Sequence, residues 1–138
     1  MRNSVFLDTS FSIATAVAKD QFHERAVNLA NKIAADNTQI ITTQPVILEI
    51  GNALSKLKYR RPAVGIIQRL DSDRNVSVIS LNDELYAEGF KLFSSRSDKE
   101  WSLVDCISFV VMREREITAA LTADEHFIQA GFRALLRT

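Results

Sequence analysis

The chain reads as an α/β protein: a three-layer α/β/α sandwich around a central, mainly parallel sheet of four to five strands. Three observations predict this. Strand-like and helical segments alternate along the sequence, the first strand is apolar enough to be buried, and capping residues stand directly at its end. The length of 138 residues matches one domain, 1–138, able to bury a sizeable core.

Ser4-Val5-Phe6-Leu7 is the first buried strand, and Asp8-Thr9-Ser10 supplies capping chemistry for the helix after it. Phe22 to Ala35 sets Phe22, Ala26, Leu29, Ala30 and Ile33 at helical spacing; Asn37 breaks the pattern, and Gln39 to Thr43 is the second strand. Pro45 opens a helix, because proline is tolerated in the first turn, with Val46, Ile50, Ala53, Leu54 and Leu57 on one face. That helix is expected to run into the basic cluster Lys56-Leu57-Lys58-Tyr59-Arg60-Arg61 and to be closed by Pro62. A helix over Ala63 to Leu70, a third strand over Val76 to Leu81 and a helix from about Asp83 to Phe93 come next. Ser94 to Trp101 is the clearest linker. Ser102 to Glu114 is a helix with an apolar middle, Ile117 to Leu121 the fourth strand, and Glu125 to Ala130 a last helix ended by Gly131. Phe132 to Leu136 is a candidate edge strand. There is no internal repeat or low-complexity tract.

Composition excludes several classes. Seventeen Lys plus Arg balance seventeen Asp plus Glu, so no long-range field draws the molecule to nucleic acid or membrane, and any such contact is local. The lone Cys106 makes no intramolecular disulfide, and with only His23 and His126 beside it the usual structural zinc patterns fail. A reducing cytosol is the expected home. Phe11 to Ala18 has the form of a short signal h-region, but the stretch before it carries Asp8 and one basic side chain, so a first helix is the preferred reading. No apolar run is long enough to span a bilayer.

Four acids stand in or beside apolar segments: Asp8, Glu49, Asp105 and Asp124. A buried carboxylate is costly unless paired, hydrogen-bonded or metal-bound. Asp8 and Asp124 follow strands, at the sheet edge where ligands of parallel sheets bind, yet each could equally cap a helix. A helical wheel puts Glu49 on the rim of its apolar face, where a solvated glutamate is the plain alternative. Asp105 lies in Leu103-Val104-Asp105-Cys106-Ile107-Ser108-Phe109, and a capping box with Ser102, with Trp101 stapled on Cys106, is its structural account. Together, carboxylate oxygens read without a histidine or thiolate beside them select Mg²⁺ or Mn²⁺ over zinc. Such ions support phosphodiester hydrolysis. Thr9, Ser10, Thr43 and Thr122 lie near the strand ends and could orient carboxylates or waters, or simply cap.

Four stretches carry a wider pattern: Leu7-Asp8-Thr9-Ser10, Ile47-Leu48-Glu49-Ile50-Gly51-Asn52-Ala53-Leu54, Ser102-Leu103-Val104-Asp105-Cys106-Ile107-Ser108 and Leu121-Thr122-Ala123-Asp124-Glu125-His126-Phe127. In this order they resemble the PIN-domain nucleases, in particular the small VapC-like toxin ribonucleases of prokaryotic toxin-antitoxin modules. The resemblance implies a three-layer α/β/α fold and Mg²⁺- or Mn²⁺-dependent cleavage of RNA in a prokaryotic cytoplasm. It makes Asp8, Glu49, Asp105 and Asp124 the metal-binding and catalytic acids, Asp124 binding either directly or, as the fourth acid does in many relatives, through water. It also implies a small antitoxin whose tail packs along an apolar groove, and a homodimer.

Substrate contacts are proposed from Thr9 and the basic cluster, Lys56, Lys58, Arg60 and Arg61 holding phosphates while Tyr59 stacks on a base. Basic residues equally suit the C-terminal end of a helix. Arg96, Lys99 and Trp101 form a second candidate rim, with the helix staple the preferred reading of Trp101. Alternatives to the toxin are a PIN nuclease of RNA processing, a haloacid-dehalogenase phosphatase and a non-catalytic interaction module. The phosphatase needs a second aspartate where Ser10 stands.

Overall fold

The computed structural model describes residues 3–138. Along the chain run β1 (Ser4–Leu7), α1 (Thr9–Ala16), α2 (His23–Ala35), β2 (Gln39–Thr43), α3 (Gln44–Ala53), α4 (Leu57–Ser72) and β3 (Val76–Ile79). Then follow α5 (Asp83–Ser95), α6 (Leu103–Glu114), β4 (Ala119–Leu121), α7 (Glu125–Gln129), β5 (Arg133–Ala134) and a 3₁₀ turn, Leu135–Arg137. The five strands form one sheet in the order β3-β2-β1-β4-β5, and every neighbouring pair is parallel. The sequence-predicted edge strand is real but short, because the chain turns into the 3₁₀ segment after Ala134.

Strand order explains the position of the site. The chain leaves β1 for β2 on one side and returns to β4 on the other, so the carboxyl ends of β1 and β4 flank the switch point where parallel sheets open a crevice. Alternation along β1 separates the layers. Phe6 enters a core with Val46, Ile50, Phe109, Met112 and Phe127, whereas Val5 and Leu7 enter a second core with Phe11, Ala26, Ile33 and Leu121. Phe109 is the hub of the first, edge-on to Trp101 at 5.1 Å and to Phe127 at 4.9 Å. Asn37 and Gly131 end α2 and α7 as expected, at φ 53° and 97°, the left-handed conformation that stops a helix.

One expectation fails, and one alternative is ruled out. The helix begun at Pro45 does not reach Pro62: α3 stops at Ala53, Ser55 and Lys56 form an elbow, and α4 starts at Leu57 with Pro62 inside it. Leu57, counted on the apolar face, is 93 % exposed. Proline is tolerated because its missing N–H removes one bond, to the carbonyl of the exposed Lys58 near the helix start. The basic cluster therefore sits at the amino end of α4, where the helix dipole opposes it rather than favours it. Trp101 is 3 % exposed, donates its Nε1–H to Gln129 at 3.0 Å and is covered by Arg96, so it is core and not a rim for stacking.

Helices α5 and α6 meet at Gly89. A Cβ there would stand 2.4 Å from Ile107 Cγ1 and 3.3 Å from its Cα, so Gly89→Ala should lower stability by about 1–3 kcal/mol in urea unfolding despite the better helix propensity of alanine. Gly65→Ala, with nothing within 4 Å, should instead be neutral or gain up to about 1 kcal/mol. Equal effects at the two positions would contradict this packing.

Candidate metal centre

The four acids come from four places in the fold. Asp8 occupies the N-cap position of α1 but makes no side-chain cap bond. Its Oδ2 accepts the Thr122 hydroxyl at 2.7 Å and the Ser10 hydroxyl at 3.3 Å. Ser10 and Thr122 are 3.0 Å apart and accept the backbone N–H groups of Ala123 and Asp124, tying the end of β1 to the loop after β4. The capping account of Asp8 thus gives way to a carboxylate held by hydroxyls.

Glu49, on α3, is half-buried, and its Oε1 accepts the Thr9 hydroxyl at 2.8 Å. It is no free rim glutamate. Asp105 occupies the third position of α6 in the expected capping box: its Oδ2 accepts the Ser102 N–H at 3.1 Å while Ser102 Oγ accepts the Asp105 N–H at 2.9 Å. Asp124 caps α7, its Oδ1 accepting the His126 N–H at 2.9 Å. Thr43 does only the capping job, through Val46 N–H.

Electrostatics binds these acids into one group. Burial pushes the Asp8 carboxyl from 3.8 up to about 6, against the pull of the Thr122 hydroxyl, with the charges of Asp105 and Asp124 adding to the rise. Glu49 is also raised, first by burial and then by Asp105 and Asp124 after the Thr9 bond offsets part of it. Asp105 rises chiefly by burial, with His126 and Ser102 opposing. Among the described residues no lysine or arginine pairs with any of the four.

The donor set fits a hard divalent cation. The hydrogen bonds from Thr122, Ser10, Thr9, Ser102 and the His126 backbone each engage one oxygen per carboxylate. No fully buried side-chain polar atom among the described residues lacks a partner, so none of the four carboxylates holds an oxygen both sealed and unpaired. Missed from the sequence was His126, whose Nδ1 lies 3.0 Å from Asp105 Oδ2 and 3.4 Å from Asp124 Oδ1. The cluster is therefore not free of histidine. Its only sequence signal is a position two residues after a helix-capping aspartate, in the first turn of α7.

The five basic-cluster candidates do not reach the acids. Lys56, Lys58, Arg60 and Arg61 are exposed around the α3–α4 elbow, Arg60 binding the Ser55 carbonyl at 2.7 Å. Tyr59 is half-buried against the core with Lys58 over its ring at 4.9 Å.

Residues 5–133 match the PIN domain. The chain is 31% identical over 129 residues to the 23S rRNA-specific endonuclease VapC20 of Mycobacterium tuberculosis, covering 93% of this chain and 95% of that protein. The crystal structure of VapC20, a sarcin-ricin loop cleaving toxin, superposes with a TM-score of 0.80 at 28% identity, over 93% of this chain and 95% of VapC20. FitAcB from Neisseria gonorrhoeae shares the fold at a TM-score of 0.62 and 15% identity, with 94% of each chain covered. With four acids gathered at the switch point of a parallel sheet and this likeness over nearly the whole length, the chain belongs to the PIN-domain family of nucleases.

Proposed function

We propose that the protein is the toxin of a toxin-antitoxin pair, an endoribonuclease using Mg²⁺ or Mn²⁺ held by Asp8, Glu49, Asp105 and Asp124. One observation carries the reading: four carboxylates converge, each held by a hydroxyl or amide donor, and no lysine or arginine among the described residues pairs with them. A bound divalent ion supplies charge for a phosphodiester under attack and acidifies a water. Thr122, Ser10 and Thr9 fix the carboxylates, so little reorganisation remains for binding. Lys56, Lys58 and Arg61 hold RNA phosphates beside the acids, whereas Arg60 is engaged with the elbow carbonyl and Tyr59 with the core.

The likeness to VapC20 makes the sarcin-ricin loop of 23S rRNA the first substrate to try. An antitoxin tail suits a cleft of about 340 Å³ lined by Phe11, Ile33, Ile40, Ile66, Leu70 and Leu121, which none of the four acids lines. A homodimer suits the exposed side of α5, where Tyr86 and Phe90 stack at 6.5 Å.

Purified protein should cleave such RNA with Mg²⁺ or Mn²⁺ and stop with chelator, and Asp8→Asn and Asp105→Asn should each lose roughly 100-fold or more. Undiminished cleavage by both variants would rule the assignment out.

The raised Asp8 carboxyl has a further consequence. The unfolded chain releases this proton near 3.8 and the folded protein near 6. Stability from the protonated group is thus complete below about 4 and is lost as pH rises through 6, by on the order of 3 kcal/mol. Without metal, the melting temperature of the wild type relative to Asp8→Asn should fall between pH 4 and 7; Mn²⁺ should restore it more at pH 7 than at pH 5, where protons compete. A difference that grows with pH would contradict the buried carboxylate.

A further inference from the structure

We propose that His126 is a nitrogen ligand to the divalent ion, together with Asp105 and Asp124, and that it biases this centre toward Mn²⁺ over Mg²⁺. The inference rests on the metal-nuclease reading above and concerns one residue that reading does not use.

The placement of the ring is fixed by the chain. Asp124 Oδ1 accepts the His126 backbone N–H at 2.9 Å, which locks the first turn of α7 and aims the ring back across the sheet edge at Asp105 on α6. Ligand atoms of Asp105, Asp124 and His126 all lie within 4.8 Å of one another. His126 Nδ1 stands 3.0 Å from Asp105 Oδ2 and 3.4 Å from Asp124 Oδ1. Adjacent corners of an octahedron with ligands at about 2.1 Å are separated by about 3 Å, so these spacings suit neighbouring positions around one ion. Asp105 Oδ2 already accepts the Ser102 N–H, so that oxygen does not depend on the imidazole for a donor. A neutral imidazole binds a metal through the ring nitrogen that carries no proton, so an Nδ1 ligand keeps its N–H at Nε2. Oxygen ligands alone discriminate weakly between Mg²⁺ and Mn²⁺, whereas an imidazole favours the transition ion.

Calorimetric titration of the full chain with MnCl₂ and with MgCl₂ tests this. His126→Ala should weaken Mn²⁺ binding about tenfold or more and change Mg²⁺ binding by less than about threefold. In addition, with diamagnetic Zn²⁺ added as a probe, the ¹⁵N spectrum of the wild-type imidazole should show the proton on Nε2 and the coordination shift on Nδ1. Equal losses for both ions would make His126 a hydrogen-bond prop for Asp105, and no loss for either would make it a bystander; both overturn the proposal. Asp8→Asn separates the two levels: if wild type binds neither ion and Asp8→Asn is indistinguishable from it, the metal-nuclease reading itself has failed.

Discussion

Desolvation of like charge at the carboxyl edge of the sheet is the constraint around which the rest of the molecule is arranged. Asp8 is 5 % exposed and Asp105 7 % exposed, and each lies within the field of the other acids. An isolated buried carboxylate would cost several kcal/mol even after relaxation. Here the relief is partial and comes from hydroxyl and amide donors and, at Asp105, from the His126 ring, which weaken the penalty without cancelling the charge of four acids. Among the described residues the centre is thus left short of positive charge, a deficit that a cation would fill under the metal-nuclease reading.

Partial relief requires a rigid frame, since hydroxyls help only within hydrogen-bond reach. The frame is the switch point of the sheet. Asp8 N–H bonds Leu121 carbonyl at 3.2 Å, Thr42 hydroxyl bonds Leu7 carbonyl at 2.8 Å, and Leu136 N–H bonds Thr122 carbonyl at 3.1 Å. Strands β1, β2 and β4 and the C-terminal turn are thereby cross-tied around the acids. Arg25 adds a bond from α2 to the Leu136 carbonyl, and Arg137 reaches the Ala123 carbonyl. Two apolar cores, divided by the alternation of Val5, Phe6 and Leu7, hold helices against both faces of this edge. Packing and site are one structure: the capping box that starts α6 also orients Asp105.

What could be read from the sequence was whatever depends on neighbours in the chain. Asp8 and Asp124 follow strands and precede helices, and the Ser102–Asp105 box spans three residues, so local rules located all three. Glu49 was ambiguous because its partner, Thr9, lies forty positions away across α1 and α3. His126 escaped notice because its relation to Asp105 arises from the crossing of α6 and α7, which no periodicity encodes. The elbow before α4 was hidden by Leu57, which continues the apolar spacing of α3 and yet ends up in solvent. Spacing reports which residues could share a face, not which face the fold then covers.

That elbow places charge where local rules advise against it. Lys56, Lys58, Arg60 and Arg61 crowd the positive end of the α4 dipole, each at a cost of a few tenths of a kcal/mol, offset locally only at Arg60 by the Ser55 carbonyl and at Lys58 by the Tyr59 ring, and a broken local rule is most common where function demands it. The demand under the nuclease reading is physical. Four carboxylates repel a polyanion, and in a chain of zero net charge nothing distant offsets them. Glu49 is four residues from the end of α3, about 6 Å along the axis, and the elbow follows at once. Cations just past the end of α3 offset part of the repulsion felt by an arriving phosphate, and none of them pairs with the acids. A lysine nearer the centre would occupy the place of the metal, and one much farther away would be screened from the substrate. The separation of acidic centre and basic elbow therefore reconciles two opposed requirements, a vacancy for a cation and an approach for an anion, in a chain with no net charge to spend on either.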